Sequence, residues 1–312
     1  MIYARNYEQN VQALKDAMNL KESAYILVGN NFTTSQIAYV GGTVMKCIED
    51  PDYLVNEVTK FYEDFEIDIL TLAMCNPMET IWDLDRGTYF ISDDGITVQH
   101  HESVPMEEEE YPQLIADPQG FMVNTLLPRK FPQIAKNGME SYETFKKAAY
   151  HLKGFRDTNG RFSKVLAEKY GVVPFTGGKL YVPFDVIFDR LRGIRGSLTD
   201  LRRRPQEVKD ACEALYPIYI KPLAGLHSEL PHAYCTLHAP TYLSTKQWEE
   251  FFWPYFERML LLVHDKGSKA TIHCQGDWSR FFEYFKELPK AMLRVQVEKD
   301  DIVTVKKSIG SH

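Results

Sequence analysis

Beyond Gly160 the chain alternates short apolar runs with amphipathic helical patterns, and this alternation limits the fold more than any other feature. A helix around Gly160 to Tyr170 stops at Gly171, and VVPFT (172–176) reads as the strand after it. Pro205 opens a helix with Val208, Ala211, Cys212 and Leu215 on one face, followed by the strand HAYCTLHAP (232–240). Ser244 and Gln247 make a capping box for the aromatic stripe Trp248, Phe251, Phe252, Tyr255, Phe256 and Met259. Pro254 is expected to break or kink that helix, and Gly267 to stop it. Then come the strand KATIHC (269–274), a helix near Phe281 to Lys286, the strand MLRVQVE (292–298) and a helix over Ile302 to Ile309. Repeated strand–helix units predict a parallel α/β fold. Neither GxGxxG nor GxxxxGK[ST] occurs, so a (β/α)8 TIM barrel is expected rather than a nucleotide-binding doubly wound sheet.

The first half is less regular. Tyr7, Val11, Leu14 and Met18 recur at helical spacing, and Asp50-Pro51 opens a helix carrying Leu54, Val55, Val58 and Phe61. IDILTLAMC (67–75) suits a strand covered on both faces. TYFISDDGITVQH (88–100) predicts a hairpin turning at Asp94-Gly95. Glu107 to Glu110 reads as a solvated loop, and Asp117-Pro118 and Leu127-Pro128 punctuate a loop-rich stretch. One barrel domain is therefore expected over 1–312, with 77–130 as an excursion within it. The five or six strands counted fall short of eight, so the barrel is expected to lack its last strands in this chain.

Composition narrows the function classes. A formal net charge of -7 argues against a general nucleic-acid binder. Five cysteines without CxxC spacing make no disulfide framework. MIYARNYEQN lacks the basic-then-apolar layout of a signal peptide, and no apolar run approaches the roughly 18 residues of a bilayer span. No nucleic acid, no membrane and a cytoplasmic location are expected; a homodimer is allowed.

The stretch ATIHCQGDW (270–278) carries the chemistry. Side chains alternate along a strand, so His273 and Gln275 share one face and Cys274 takes the other. In a barrel the C-terminal strand ends converge on the mouth, which gathers Cys75, Asn76, Thr176, His238, His273, Gln275, Gln296 and Glu298. His238 and His273 suit metal ligation or proton transfer, or serve as hydrogen-bonded structural histidines. Gln275, Gln296 and Asn76 could orient an oxygen-bearing substrate, and Glu298 could be a base, a metal ligand or a loop anchor. Arg192 and Arg195, beside Gly193 and Gly196, could grip an anionic group. Asp277 reads as a helix cap.

Several segments resemble the uroporphyrinogen decarboxylase superfamily, in its branch of corrinoid-dependent methyltransferases of anaerobic metabolism. They are YPQLIADP (111–118) with LPR (127–129), FDRLRGIRGSLTDLRRRP (188–205), LSTKQWEEFFWP (243–254) with HDKG (264–267), HCQGDWSRFFEYFKELP (273–289) and DDIVTVKKSIG (300–310). The resemblance implies a barrel enzyme that passes a methyl group from a small methylated substrate to a corrinoid-binding partner protein. It also implies a zinc ion held by a His-any-Cys-Gly strand end. Here the order is His273-Cys274-Gln275-Gly276, so His273 keeps the ligand place and Gln275 stands where the cysteine would. The Arg-Gln-Ala-Gly-Arg element with which the decarboxylases grip a porphyrinogen has no counterpart. Decarboxylation of a tetrapyrrole, or a non-catalytic ligand-binding barrel, stays open beside methyl transfer.

Overall fold

Two sets of apolar side chains organise the chain. One joins Ile37, Val44, Leu54, Val58, Leu70, Phe162 and Leu166; the other runs from Met106 to Ile309 and includes Trp248, Phe256, Trp278 and Phe285. They are the cores of two units in a computed structural model that describes residues 6–30, 34–71, 76–85, 87–136, 138–175, 177–225 and 232–310. The first unit takes in Met1–Ala17, Lys21–Glu102 and Leu127–Thr176, the second Met18–Leu20, Ser103–Leu126 and Gly177–His312.

In the first unit β1 (Gly29–Asn30), β2 (Ile69–Leu70) and β5 (Val173–Pro174) form a parallel sheet in the order β1-β2-β5. Between them, β3 (Tyr89–Ile91) and β4 (Val98–His100) pair antiparallel. The Asp94 carboxylate accepts from Ile96 N, Thr97 N and Thr97 Oγ1, and Gly95 has φ +71°, which fixes the expected hairpin at the expected turn.

In the second unit β6 (Gly178–Lys179), β7 (His232–Leu237), β8 (Lys269–Cys274) and β9 (Leu293–Val297) form a parallel sheet in that order. The fold is thus helix-rich α/β with parallel sheets, and every pairing among the expected long-range strands is parallel. Two short strands, β1 and β6, have only two residues each and escape a periodicity reading.

Register gives the four-stranded sheet two unlike faces. Ala233, Cys235, Leu237, Ala270, Ile272, Cys274, Leu293, Val295 and Val297 all belong to the second apolar core or pack against it. The alternate positions form polar rows across the sheet, Lys179–Tyr234–Thr271–Arg294 and Thr236–His273–Gln296. Period-two alternation therefore aims one face at helices and reserves the other for polar side chains.

Some local expectations change. The stretch around Leu127-Pro128 is helical, and the helix expected around Gly160 begins at Gly138 and runs 33 residues to Tyr170. Three glycines (138, 154 and 160) and only three buried residues, Ala148, Phe162 and Leu166, blur its periodicity. Glu107 to Glu110 is a 3-10 turn closed by its own capping box rather than a loop. The run does break beside Pro254, as expected: Trp248–Phe252 forms a π turn, with Trp253 N–H donating to Trp248 O, and an α-helix restarts over Trp253–Asp265. The wider turn accommodates a ring that would otherwise strike the carbonyl four residues back. Among the described residues no helix is long and apolar enough to cross a membrane.

Candidate active site

Three parallel strands end side by side, and their polar face carries the candidate chemistry. The row Thr236–His273–Gln296 crosses β7, β8 and β9, and His238, Gln275 and Glu298 follow on the same parity at the C-terminal ends. The cationic positions of this face, Lys179, Lys269 and Arg294, lie earlier along their strands. The C-terminal ends themselves offer imidazoles, amides and a carboxylate.

His273 is 8% exposed, and its Nε2 lies 3.2 Å from Glu298 Oε1. The other Glu298 oxygen, Oε2, accepts from Gly276 N at 3.1 Å, so one carboxylate ties the imidazole to the turn that ends its strand. Gly276 adopts φ +76°, a left-handed conformation natural to glycine. Burial pushes the His273 imidazole below the usual histidine range, and the Glu298 charge opposes that shift without cancelling it. Gln296 Oε1 is buried without a hydrogen-bond partner among the described residues, an acceptor open to a ligand's donor. Gln275 is partly exposed, and its carbonyl accepts from Trp278 Nε1 at 3.1 Å. Asp277 caps the turn that follows, accepting from Ser279 N at 2.9 Å.

His238 has a different setting. Its Nδ1 lies 2.6 Å from Asp189 Oδ2, and its backbone N–H donates to Asp185 Oδ1 at 3.0 Å, beside Ala239 N at 2.8 Å. The hydrogen bond to Asp189 raises the imidazole above its ordinary value against the opposing cost of burial, with the charges of Asp189 and Asp185 helping. Asp185, 6% exposed, is itself pushed well above the usual carboxylate range by burial and then by the Asp189 charge.

Neither aspartate stands out in sequence, because PFDVIFDRL (183–191) reads as an apolar helix with scattered charge. The available signal is their spacing. Two carboxylates four residues apart lie on one helical face, in a run whose other residues are buried from Pro183 to Phe188. Arg280, at the start of the segment after β8, holds the loop after β7 by donating from Nη2 to Thr241 O and Leu243 O at 3.0 and 2.9 Å.

The two arginines part ways. Arg192 is 7% exposed and fully engaged: Nε donates to Asp200 Oδ2 at 2.7 Å and Nη1 to Met106 O at 2.6 Å. Tyr111 Oη donates to the same Asp200 oxygen at 2.9 Å. This network knits the 103–126 segment to the helix Gly193–Arg203. Arg195 is exposed on that helix. Asn76 lies in the first unit, with its backbone carbonyl accepting from Met78 N at 3.0 Å. Cys75 and Thr176 fall outside the described residues.

A His-any-Cys zinc clamp does not fit these strand ends. Cys274 is enclosed in the apolar core, where burial pushes its thiol far up, and Gln275 stands on the His273 face in its place.

No family model matches the chain, and no curated protein matches it in sequence. Its fold is similar to that of a solved methyltransferase from Methanosarcina mazei, at a TM-score of 0.59 and 12% identity, over 97% of this chain and 80% of that one. At that identity the likeness is one of fold.

Proposed function

We propose that the chain is a barrel enzyme of the uroporphyrinogen decarboxylase type that moves a methyl group from a small ether, thioether or methylamine to a corrinoid held by a partner protein. The observation that carries this reading is the pair of histidine–carboxylate contacts, His238–Asp189 and His273–Glu298, at the C-terminal ends of neighbouring parallel strands. The sequence segments quoted above and the fold likeness to a methyltransferase support it.

A methyl group bonded to oxygen, sulfur or nitrogen departs readily only if a proton or a Lewis acid offsets the negative charge that the heteroatom takes on as the bond breaks. The corrinoid would supply the nucleophile that accepts the methyl carbon. The carbon–heteroatom bond breaks with its electron pair left on the heteroatom, and His238 gives the proton that completes the demethylated product. Asp189 holds that imidazole through Nδ1, which leaves Nε2 for the substrate. His273, buried and neutral, orients the substrate together with Gln275 and Gln296. No step is assigned to zinc. Among the described residues the strand-end positions His238, Gln275 and Glu298 include no lysine or arginine, which disfavours a substrate with many carboxylates.

The test is to mix the protein with cob(I)alamin and a panel of methyl ethers, thioethers and methylamines, and to follow the cobalt absorption. Methylcobalamin formed with one class of donor supports the reading. No methylation with any donor, together with carbon dioxide release from uroporphyrinogen, assigns the chain to the decarboxylases; silence in both assays assigns it a binding role.

A further inference from the structure

We infer that Asp185, Asp189 and His238 form a binding site for one divalent transition-metal cation, a site separate from the His273 strand end. It shares His238 and Asp189 with the methyl-transfer reading, where an ion bound at them would replace the proton that His238 carries, and it is tested by metal binding alone.

The three side chains converge from two elements. Asp185 lies on the helical turn Pro183–Val186, Asp189 on the π turn Ile187–Leu191 that continues it, and His238 on the first residue after β7. One ligand atom from each lies within 4.8 Å of the others. Ligands on a shared transition metal sit about 2.0–2.2 Å from the ion, hence roughly 3–4 Å from one another, so a small rotation of exposed Asp189 closes the set. Asp189 and His238 already approach to 2.6 Å.

Two features separate this group from an ordinary surface cluster. First, Asp185 is buried, and the amides of His238 and Ala239 hold its Oδ1, which fixes one carboxylate to the strand end that bears the imidazole. The ligands are therefore preorganised rather than tethered to a mobile loop. Secondly, two carboxylates face one imidazole here, with Asp189 2.6 Å from His238 Nδ1, so an ion entering the group can displace the imidazole's proton and take over its carboxylate partner. The donor set then chooses among cations. Two oxygens and one imidazole suit zinc, manganese, iron(II) or cobalt(II); calcium prefers six to eight oxygens, and magnesium usually keeps several waters. With three protein ligands, further positions stay open for water or a substrate heteroatom.

The experiment uses the chelator-stripped full chain and Co2+ as the probe, with Zn2+ as a second ion. Isothermal titration and visible absorption report stoichiometry and the ligand environment; the rise in Tm on adding metal reports binding to the folded state. One equivalent bound by the wild type is expected, with affinity reduced at least tenfold in Asp189→Asn and His238→Gln and unchanged in His273→Gln. Asp189 is exposed, so Asp189→Asn should keep the wild-type circular dichroism and metal-free Tm, and its loss of binding reads the site rather than the fold. Asp185→Asn is the supporting variant. No saturable binding by the wild type overturns the inference and leaves a hydrogen-bonded His238–Asp189 pair only. Binding that survives Asp189→Asn and His238→Gln, or that disappears in His273→Gln, also overturns it by placing the ion at another position.

Discussion

His273 and Cys274 are neighbours in sequence and end on opposite faces of β8: His273 Nε2 lies 3.2 Å from Glu298 Oε1, while the Cys274 thiol is enclosed in the apolar core. The split has a direct consequence. Cys274→Ser should leave methyl transfer nearly intact while costing about 1–3 kcal/mol of stability, because the new hydroxyl has no partner there. His273→Ala should lower the rate by about 100-fold or more, the range expected for a positioned imidazole. Urea denaturation and the cobalamin assay separate the two. Rapid labelling of Cys274 in the native protein would contradict its enclosure.

Stability should respond to pH through His273. Its folded-state pKa is held below the ordinary 6.5, first by burial. The unfolded chain therefore binds more protons, and stability rises with pH across the interval between the folded value and 6.5. As pH falls below 6.5 this contribution should be lost progressively. Urea midpoints measured from pH 7.5 to 5 check it: His273→Gln should flatten part of the acid slope, and an unchanged slope would remove His273 from the account.

Arg192 and Arg195 carry the same charge three residues apart and should behave unlike each other. Arg192→Ala leaves Asp200, which has no side-chain exposure, without its cation, and should destabilise by about 3–5 kcal/mol. Tyr111 would keep its contact with Asp200 but could not replace the charge. Arg195→Ala, on an exposed position, should change stability by less than about 0.5 kcal/mol. Denaturant midpoints test the pair, and equal losses would show that the buried network is not what holds Arg192.

The legible parts of this sequence are those with a strict local period. The runs 232–238, 269–274 and 292–298 give three adjacent parallel strands, and Asp94-Gly95 gives the hairpin, because alternation and turn chemistry are local properties. The same alternation, applied to His273 and Cys274, separates the polar face from the core. The pairing of Asp185 and Asp189 with His238 is not local. It depends on a buried carboxylate meeting two strand-end amides about fifty positions away, and no period in the sequence encodes that. Arg192 misleads for a related reason: a glycine-flanked arginine resembles an anion grip, whereas its partner Asp200 lies eight positions on, amid a charged helix surface.

Gly276 offers a test of how the turn after β8 supports its chemistry. Two separate costs meet there. Its φ of +76° disfavours any side chain, by about 1–2 kcal/mol for an alanine. A Cβ would also lie 2.9 Å from Thr241 Cγ2, on the loop after β7, so one side must move. Gly276→Ala should therefore lose more than the backbone term alone. Thr241→Ser removes the methyl that the new Cβ would strike, so the double variant should recover the steric part and keep the backbone part. The functional readout is distinct. Gly276 N donates to Glu298 Oε2, and Glu298 faces His273 through its other oxygen, so a displaced turn should loosen the His273–Glu298 contact. Methyl transfer by Gly276→Ala should fall by roughly tenfold, consistent with the sensitivity of catalysis to small displacements, and the double variant should recover part of it. A double variant no more stable than Gly276→Ala would show that Thr241 yields without cost and that the backbone conformation alone sets the penalty.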